Sequence, residues 1–127
     1  QPRKWLKDLR RELGLKIAEF SKRTVLSFPS FQKLESGETV NMKPETIYRI
    51  AKASDEKVEN LVKEEVKNFL EYLESYYYEK VELIIEYPSQ SLYPVKNDEI
   101  DLYGLFLAWL KEIHLFLKGK NILCLFL

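Results

Sequence analysis

The chain has 127 residues, 46% of them hydrophobic, and its 20 Lys/Arg are balanced by 20 Asp/Glu to a formal net charge of zero. That length allows one compact domain or two very small ones. The apolar content excludes a disordered tail, and the charge balance argues against a wholesale polyanion binder. One Cys excludes an internal disulfide framework, and with one His it excludes a conventional zinc site, so a reducing, cytoplasmic setting and no bound metal are expected. The opening residues lack signal-peptide form. No run of ~20 uncharged apolar residues occurs, so no membrane span is expected.

The zero net charge hides a split. Residues 1–53 carry 12 Lys/Arg against six Asp/Glu, so the rest of the chain is equally acidic. Such asymmetry points to a basic binding half, the plain alternative being chance scatter of surface charge.

Trp5, Leu6, Leu9 and Leu13 recur at helical spacing and Gly14 follows as a stop, which predicts a helix over 3–13. A short helix is predicted over 16–23 with Ile17 and Phe20 inward. Residues 24–27 break the period. A third helix, 28–35, has Phe31 and Leu34 buried, Pro29 in its first turn and Gly37 closing it. After a loop, Pro44 opens a fourth helix with Ile47, Ile50 and Ala51 on one face. The next helix is longer. Val58, Val62, Val66, Phe69, Leu73 and Tyr76 recur at intervals of three and four, a coiled-coil-like seam that reaches to about residue 80. Residues 81–87 (VELIIEY) read as a strand or as the last two turns of that helix, the β-branched content favouring the strand. Residues 88–97 have loop chemistry. Residues 100–117 form a very apolar helix, and 121–127 (NILCLFL) a short apolar tail with strand character.

The pair of short helices over 16–23 and 28–36, joined by about four residues, has the size of a helix-turn-helix. Ile17-Ala18-Glu19-Phe20-Ser21, a short turn, and Phe31-Gln32-Lys33-Leu34-Glu35-Ser36-Gly37 resemble the lambda-repressor/Cro-type (XRE) helix-turn-helix family. Residues 44–54 (PETIYRIAKAS) match that family's fourth helix and 58–61 its fifth, so the resemblance covers about residues 3–62. It implies a mainly α chain: a five-helix, lambda-repressor-like DNA-binding domain over 1–62, then a helical or α+β oligomerisation region over 63–127.

Carried over residue by residue, the family pattern implies base contacts from Phe28, Pro29, Gln32 and Lys33. Lys favours guanine O6/N7, Gln favours adenine N6/N7, and Phe suits a thymine methyl. It implies phosphate contacts from Lys16, Ser27, Ser36 and Lys43, with Ser27 also capping its helix. Arg10 and Glu35 match a pair that forms a structural salt bridge in many members. Three positions depart from the pattern. Ile17 stands where the family usually has a phosphate-binding Gln. Val25 stands where it has Gly, often at positive φ. Ser21 replaces Ala.

Residues 63–127 match no family pattern. Their apolar excess exceeds what one small bundle needs to cover. A homodimer is therefore expected, with Phe69, Leu73, Tyr76, Phe106, Trp109 and Leu110 at its interface. The function expected is a transcriptional regulator of repressor type that reads a pseudo-palindromic operator in double-stranded DNA. It uses no chemistry, cofactor, metal or membrane. The alternative is an antitoxin or other protein-interaction module, whose C-terminal region covers a protein partner. Without the resemblance, Lys16, Lys33 and Lys43 read as solvated surface charge and Phe28 as core or groove-facing. His114 reads as packed or surface-satisfied and Cys124 as a buried inert thiol. Glu64 and Glu65 read as neighbours on a polar helix face. No nucleophile motif, phosphate loop or paired carboxylate pocket is present, so no enzyme is expected.

Overall fold

The computed structural model describes residues 1–86 and 101–123. Among them the chain is mainly helical: α1 (Lys4–Glu12), α2 (Ile17–Arg23), α3 (Phe28–Ser36), α4 (Pro44–Ser54), α5 (Val58–Glu86) and α6 (Leu102–Gly119). The punctuation explains several boundaries. Gly14 and Gly37 sit at φ 68° and 85° beyond α1 and α3, where a residue without Cβ enters the left-handed region at low cost. At Gly37 a Cβ would also run into the Gln1 carbonyl, so close approach of the N-terminus demands Gly there as well. Pro29 and Pro44 occupy the first turns of α3 and α4, where no intrahelical N–H bond is lost. Asp101 caps α6 by accepting a bond from the Gly104 N–H at 3.0 Å.

The short helices close around Leu6, Leu15, Phe20, Phe31, Leu34, Met42, Ile47 and Ile50, all buried. α5 extends this core through Val58, Leu61, Val62, Phe69 and Leu73. α6 then runs back along α5. The Tyr103 N–H donates to the Tyr77 hydroxyl at 3.3 Å, Phe106 lies 5.1 Å from Phe69 between ring centroids, and Trp109 lies 5.9 Å from Phe69. Further along, Phe116 meets Tyr48 of α4 edge-on at 5.8 Å. Trp109 reaches deepest, with its Nε1 donating to the Met42 carbonyl at 2.7 Å. The buried side chains of both halves thus form one continuous cluster, and residue 62 falls inside α5.

Four expectations are corrected. Residues 81–86 continue α5 and form no strand. A helix already nucleated gains one bond per added residue, whereas VELIIE has no partner strand among the described residues; Tyr87 lies outside them. Residues 121–123 likewise enter no strand, while Cys124, the rest of the tail and the loop expected over 88–97 lie outside the described residues. Glu65 is on no polar face: it is fully buried. Finally, Phe69, Leu73, Phe106 and Trp109 are spent inside this chain's own core, and Tyr76 and Leu110 pack partly buried against it. The apolar excess taken as an interface between copies is covered largely by α6 folding back. Tyr103, Leu107 and Leu115 of α6 stay exposed, as do Leu70, Tyr77 and Tyr78 of α5.

Candidate nucleic-acid interface

α2 begins after Lys16, whose backbone N–H donates to the Glu19 side chain at 3.1 Å. This acid in the first turn also suits the positive end of the helix dipole, and Lys22 and Arg23 suit the last turn. Phe20 turns inward and meets Phe31 of α3 at 5.2 Å between ring centroids. The Thr24 hydroxyl closes the helix by donating to the Phe20 and Ser21 carbonyls, each at 3.0 Å.

The turn is made by Val25. It takes φ 58° with its side chain 77% exposed, a left-handed conformation in which a β-branched residue is a genuine outlier. The next residue, Leu26, donates its N–H back to the Ser21 carbonyl at 2.9 Å. Ser27 then caps α3: its Oγ accepts from the Ser30 N–H at 3.2 Å.

α3 divides cleanly into two faces. Phe31, Leu34 and Glu35, spaced three and four apart, are buried. Phe28, Pro29, Ser30, Gln32, Lys33 and Ser36 are exposed. Phe28 is 45% exposed, which settles it as a surface residue. The Ser36 hydroxyl donates to the Lys33 carbonyl and accepts from the Glu38 N–H, so it holds the helix end. Lys16 and Lys43 are exposed at the N-terminal ends of α2 and α4. All eight residues carried over as DNA contacts are therefore solvent-facing. None of Lys16, Lys22, Arg23, Lys33 and Lys43 takes part in an ion pair among the described residues, so their charge is uncommitted. Exposed Glu19 and Glu38 are the opposing charges on the same unit.

Two ionic ties hold this unit. Arg10 of α1 grips Glu35 with both arms of its fork, Nε to Oε2 at 3.0 Å and Nη2 to Oε1 at 2.7 Å, and its Nη1 donates to the Leu15 carbonyl at 2.9 Å. It thereby joins α1, the entry to α2 and the buried side of α3. Hydrogen bonding to Glu35 raises the Arg10 pKa further above its ordinary value, against a smaller opposing effect of burial.

The second tie has no counterpart in the sequence reading. Arg3, fully buried, donates from Nε to both oxygens of Glu65 at 2.9 Å. Its Nη1 donates to the Leu34 and Thr39 carbonyls at 2.7 and 2.6 Å, and its Nη2 to the Val40 carbonyl at 2.9 Å. Trp5 completes the set, its Nε1 donating to Glu65 Oε2 at 2.9 Å. The end of α3 and the segment after it are thus bolted to α5. A signal was present: from Val58 and Val62, an interval of three and then four lands on Glu65 and Phe69, so the acid shares the inward stripe. His114, on α6, is exposed.

Among the described residues no group of three or more His, Cys, Asp or Glu is gathered closely enough to hold a metal ion, and no helix is long and apolar enough to cross a membrane. Comparison of the chain with protein-family models, with curated proteins and with solved structures finds no match.

Proposed function

We propose that the chain is a sequence-specific DNA-binding transcriptional regulator in which α2 and α3 act as a helix-turn-helix and α3 lies in the major groove of double-stranded DNA. The observation that carries this reading is the two-faced α3. Its inward face is fixed by Phe31, Leu34 and the Arg10–Glu35 pair, and its outward face presents Phe28, Pro29, Gln32 and Lys33. The major groove is ~12 Å wide and accepts a helix, whose side chains then meet base edges. Gln32 offers the bidentate amide suited to adenine, Lys33 a donor for guanine, and Phe28 an apolar contact for a thymine methyl. Lys16 and Lys43, at the starts of α2 and α4, meet phosphates, as do Ser27 and Ser36, and set register without reading sequence.

The left-handed turn at Val25 supports the same arrangement. The backbone shape that Gly provides in the resembled family is kept here at the cost of strain. The protein acts as a two-fold homodimer, since one recognition helix reads few base pairs and a second, ~34 Å away, reads the other half of an inverted repeat. The apolar surface available to a second copy includes the exposed Tyr103, Leu107 and Leu115 of α6 and Leu70, Tyr77 and Tyr78 of α5. The same exposed side chains favour a second reading, in which the C-terminal half covers a different protein, as an antitoxin covers its toxin, and DNA binding is autoregulatory.

Selection from a random duplex pool tests the proposal. It predicts enrichment of an inverted repeat bound by two chains. An unenriched pool, with binding equally weak for all duplexes, contradicts it.

A further inference from the structure

α1 and α3 meet in a surface cleft whose lining includes Pro2, Lys4, Lys7, Ile17, Gln32 and Ser36. Its electrostatics follow from which charges are already committed. Glu35 and Arg3 also line it, but Glu35 is gripped by Arg10 and Arg3 by Glu65. Lys4 and Lys7 are exposed and enter no ion pair among the described residues. The cleft is therefore cationic at its rim, with Pro2 and Ile17 as its apolar side chains. A basic peptide is repelled by such a rim. A polyanion with an apolar sugar between its charges matches both features.

We propose that this cleft seats one strand of a DNA backbone, a deoxyribose against Pro2 and Ile17 and the flanking phosphates on Lys4 and Lys7. The inference rests on the DNA-binding reading above and deepens it: α1 becomes part of the interface. Lys4 and Lys7 lie one turn apart, with ~5–6 Å between their Cβ atoms, a separation comparable with that of neighbouring phosphates once the long side chains are extended. Gln32 borders the same cleft, so a strand seated there passes beside the residue that reads a base. Ile17 has no donor to offer a phosphate, which leaves the grip to the two lysines.

The test is fluorescence anisotropy of a labelled duplex carrying the enriched sequence, titrated with the 127-residue chain over a range of salt. The wild type is compared with Lys4→Gln/Lys7→Gln and with Lys111→Gln/Lys118→Gln on α6. For the first double variant the expected result is about tenfold weaker binding. The slope of log affinity against log salt should be shallower by about 1.8, the value of two phosphate contacts. Base preference stays unchanged, and the α6 variant behaves as wild type. Wild-type binding with an unaltered slope in Lys4→Gln/Lys7→Gln overturns the cleft and leaves the regulator reading standing. An equal loss in the α6 variant also overturns it, because net charge then explains the effect. A wild-type chain that binds no duplex overturns both.

Discussion

Arg3 and Glu65 are 62 positions apart in sequence and 2.9 Å apart in the fold, with 1% and 0% of their side chains exposed. The pair joins the residue preceding α1 to the N-terminal third of α5, and Arg3 spends its remaining donors on three carbonyls around the end of α3. A buried ion pair is poor evidence of net stabilisation, yet losing one member is costly because the other is left uncompensated. Arg3→Met should therefore cost ~3–5 kcal/mol, read as a lower denaturation midpoint. A loss typical of a surface arginine, under ~0.5 kcal/mol, would contradict this role.

The same pair imposes a pH dependence. Burial pushes the Glu65 carboxyl above the ordinary Glu range, with the Arg3 charge and the Trp5 and Arg3 hydrogen bonds pulling it partly back. An acid whose folded value lies above its unfolded value of ~4.3 binds a proton more readily in the native state. Its contribution is complete below the unfolded value and is lost as pH rises through the folded one. Stability curves of wild type and Glu65→Gln, recorded from acid to neutral pH, should differ by a term that falls across that window and is level above it. A difference that rises with pH there would mean that the charged form is the one the fold prefers.

Val25 offers a stability gain. Its φ of 58° costs an L-residue ~1–2 kcal/mol, and its side chain is too exposed to recover that by packing. Val25→Gly removes the strain and loses part of the gain to a freer unfolded chain. The expected outcome is a net increase of about 1 kcal/mol, seen as a melting point higher by about 4 °C. An unchanged or lower melting point would show that the turn is unstrained.

Much of the N-terminal half was legible because its signals are local. Gly14, Gly37, Pro29 and Pro44 punctuate the chain, and Phe20, Phe31, Leu34 and Ile47 keep helical phase between them. Arg10–Glu35 was legible only through the family resemblance, since nothing local pairs residues 25 positions apart. Arg3–Glu65 had a fainter signal, an acid in phase with an apolar stripe, and composition alone places such an acid on the surface. The VELIIE segment failed for a different reason: a short apolar run has no period that separates strand from buried helix, and its neighbours decide. The six residues assigned to a dimer interface were recognised as needing cover. That α5 and α6 of the same chain cover one another depends on long-range packing, which periodicity does not report.

Trp109 measures how far α6 belongs to the common core. It is fully buried against Phe69 and bonded to the Met42 carbonyl. Trp109→Ala should cost ~3–5 kcal/mol. In the wild type, far-UV circular dichroism and tryptophan fluorescence should trace one coincident unfolding transition. Two separated transitions would mean that the halves fold as independent units.

Whether α3 reads bases while Lys43 holds the backbone is decided by comparing Lys33→Ala with Lys43→Ala on the enriched duplex and on single-base variants of it. In the proposed complex Lys33→Ala loses ~1–3 kcal/mol of discrimination at one position in each half-site, whereas Lys43→Ala weakens all duplexes alike and lowers the salt slope by about one contact. If both variants bind every duplex as the wild type does, α3 is not the reading helix and Lys43 is not at the backbone.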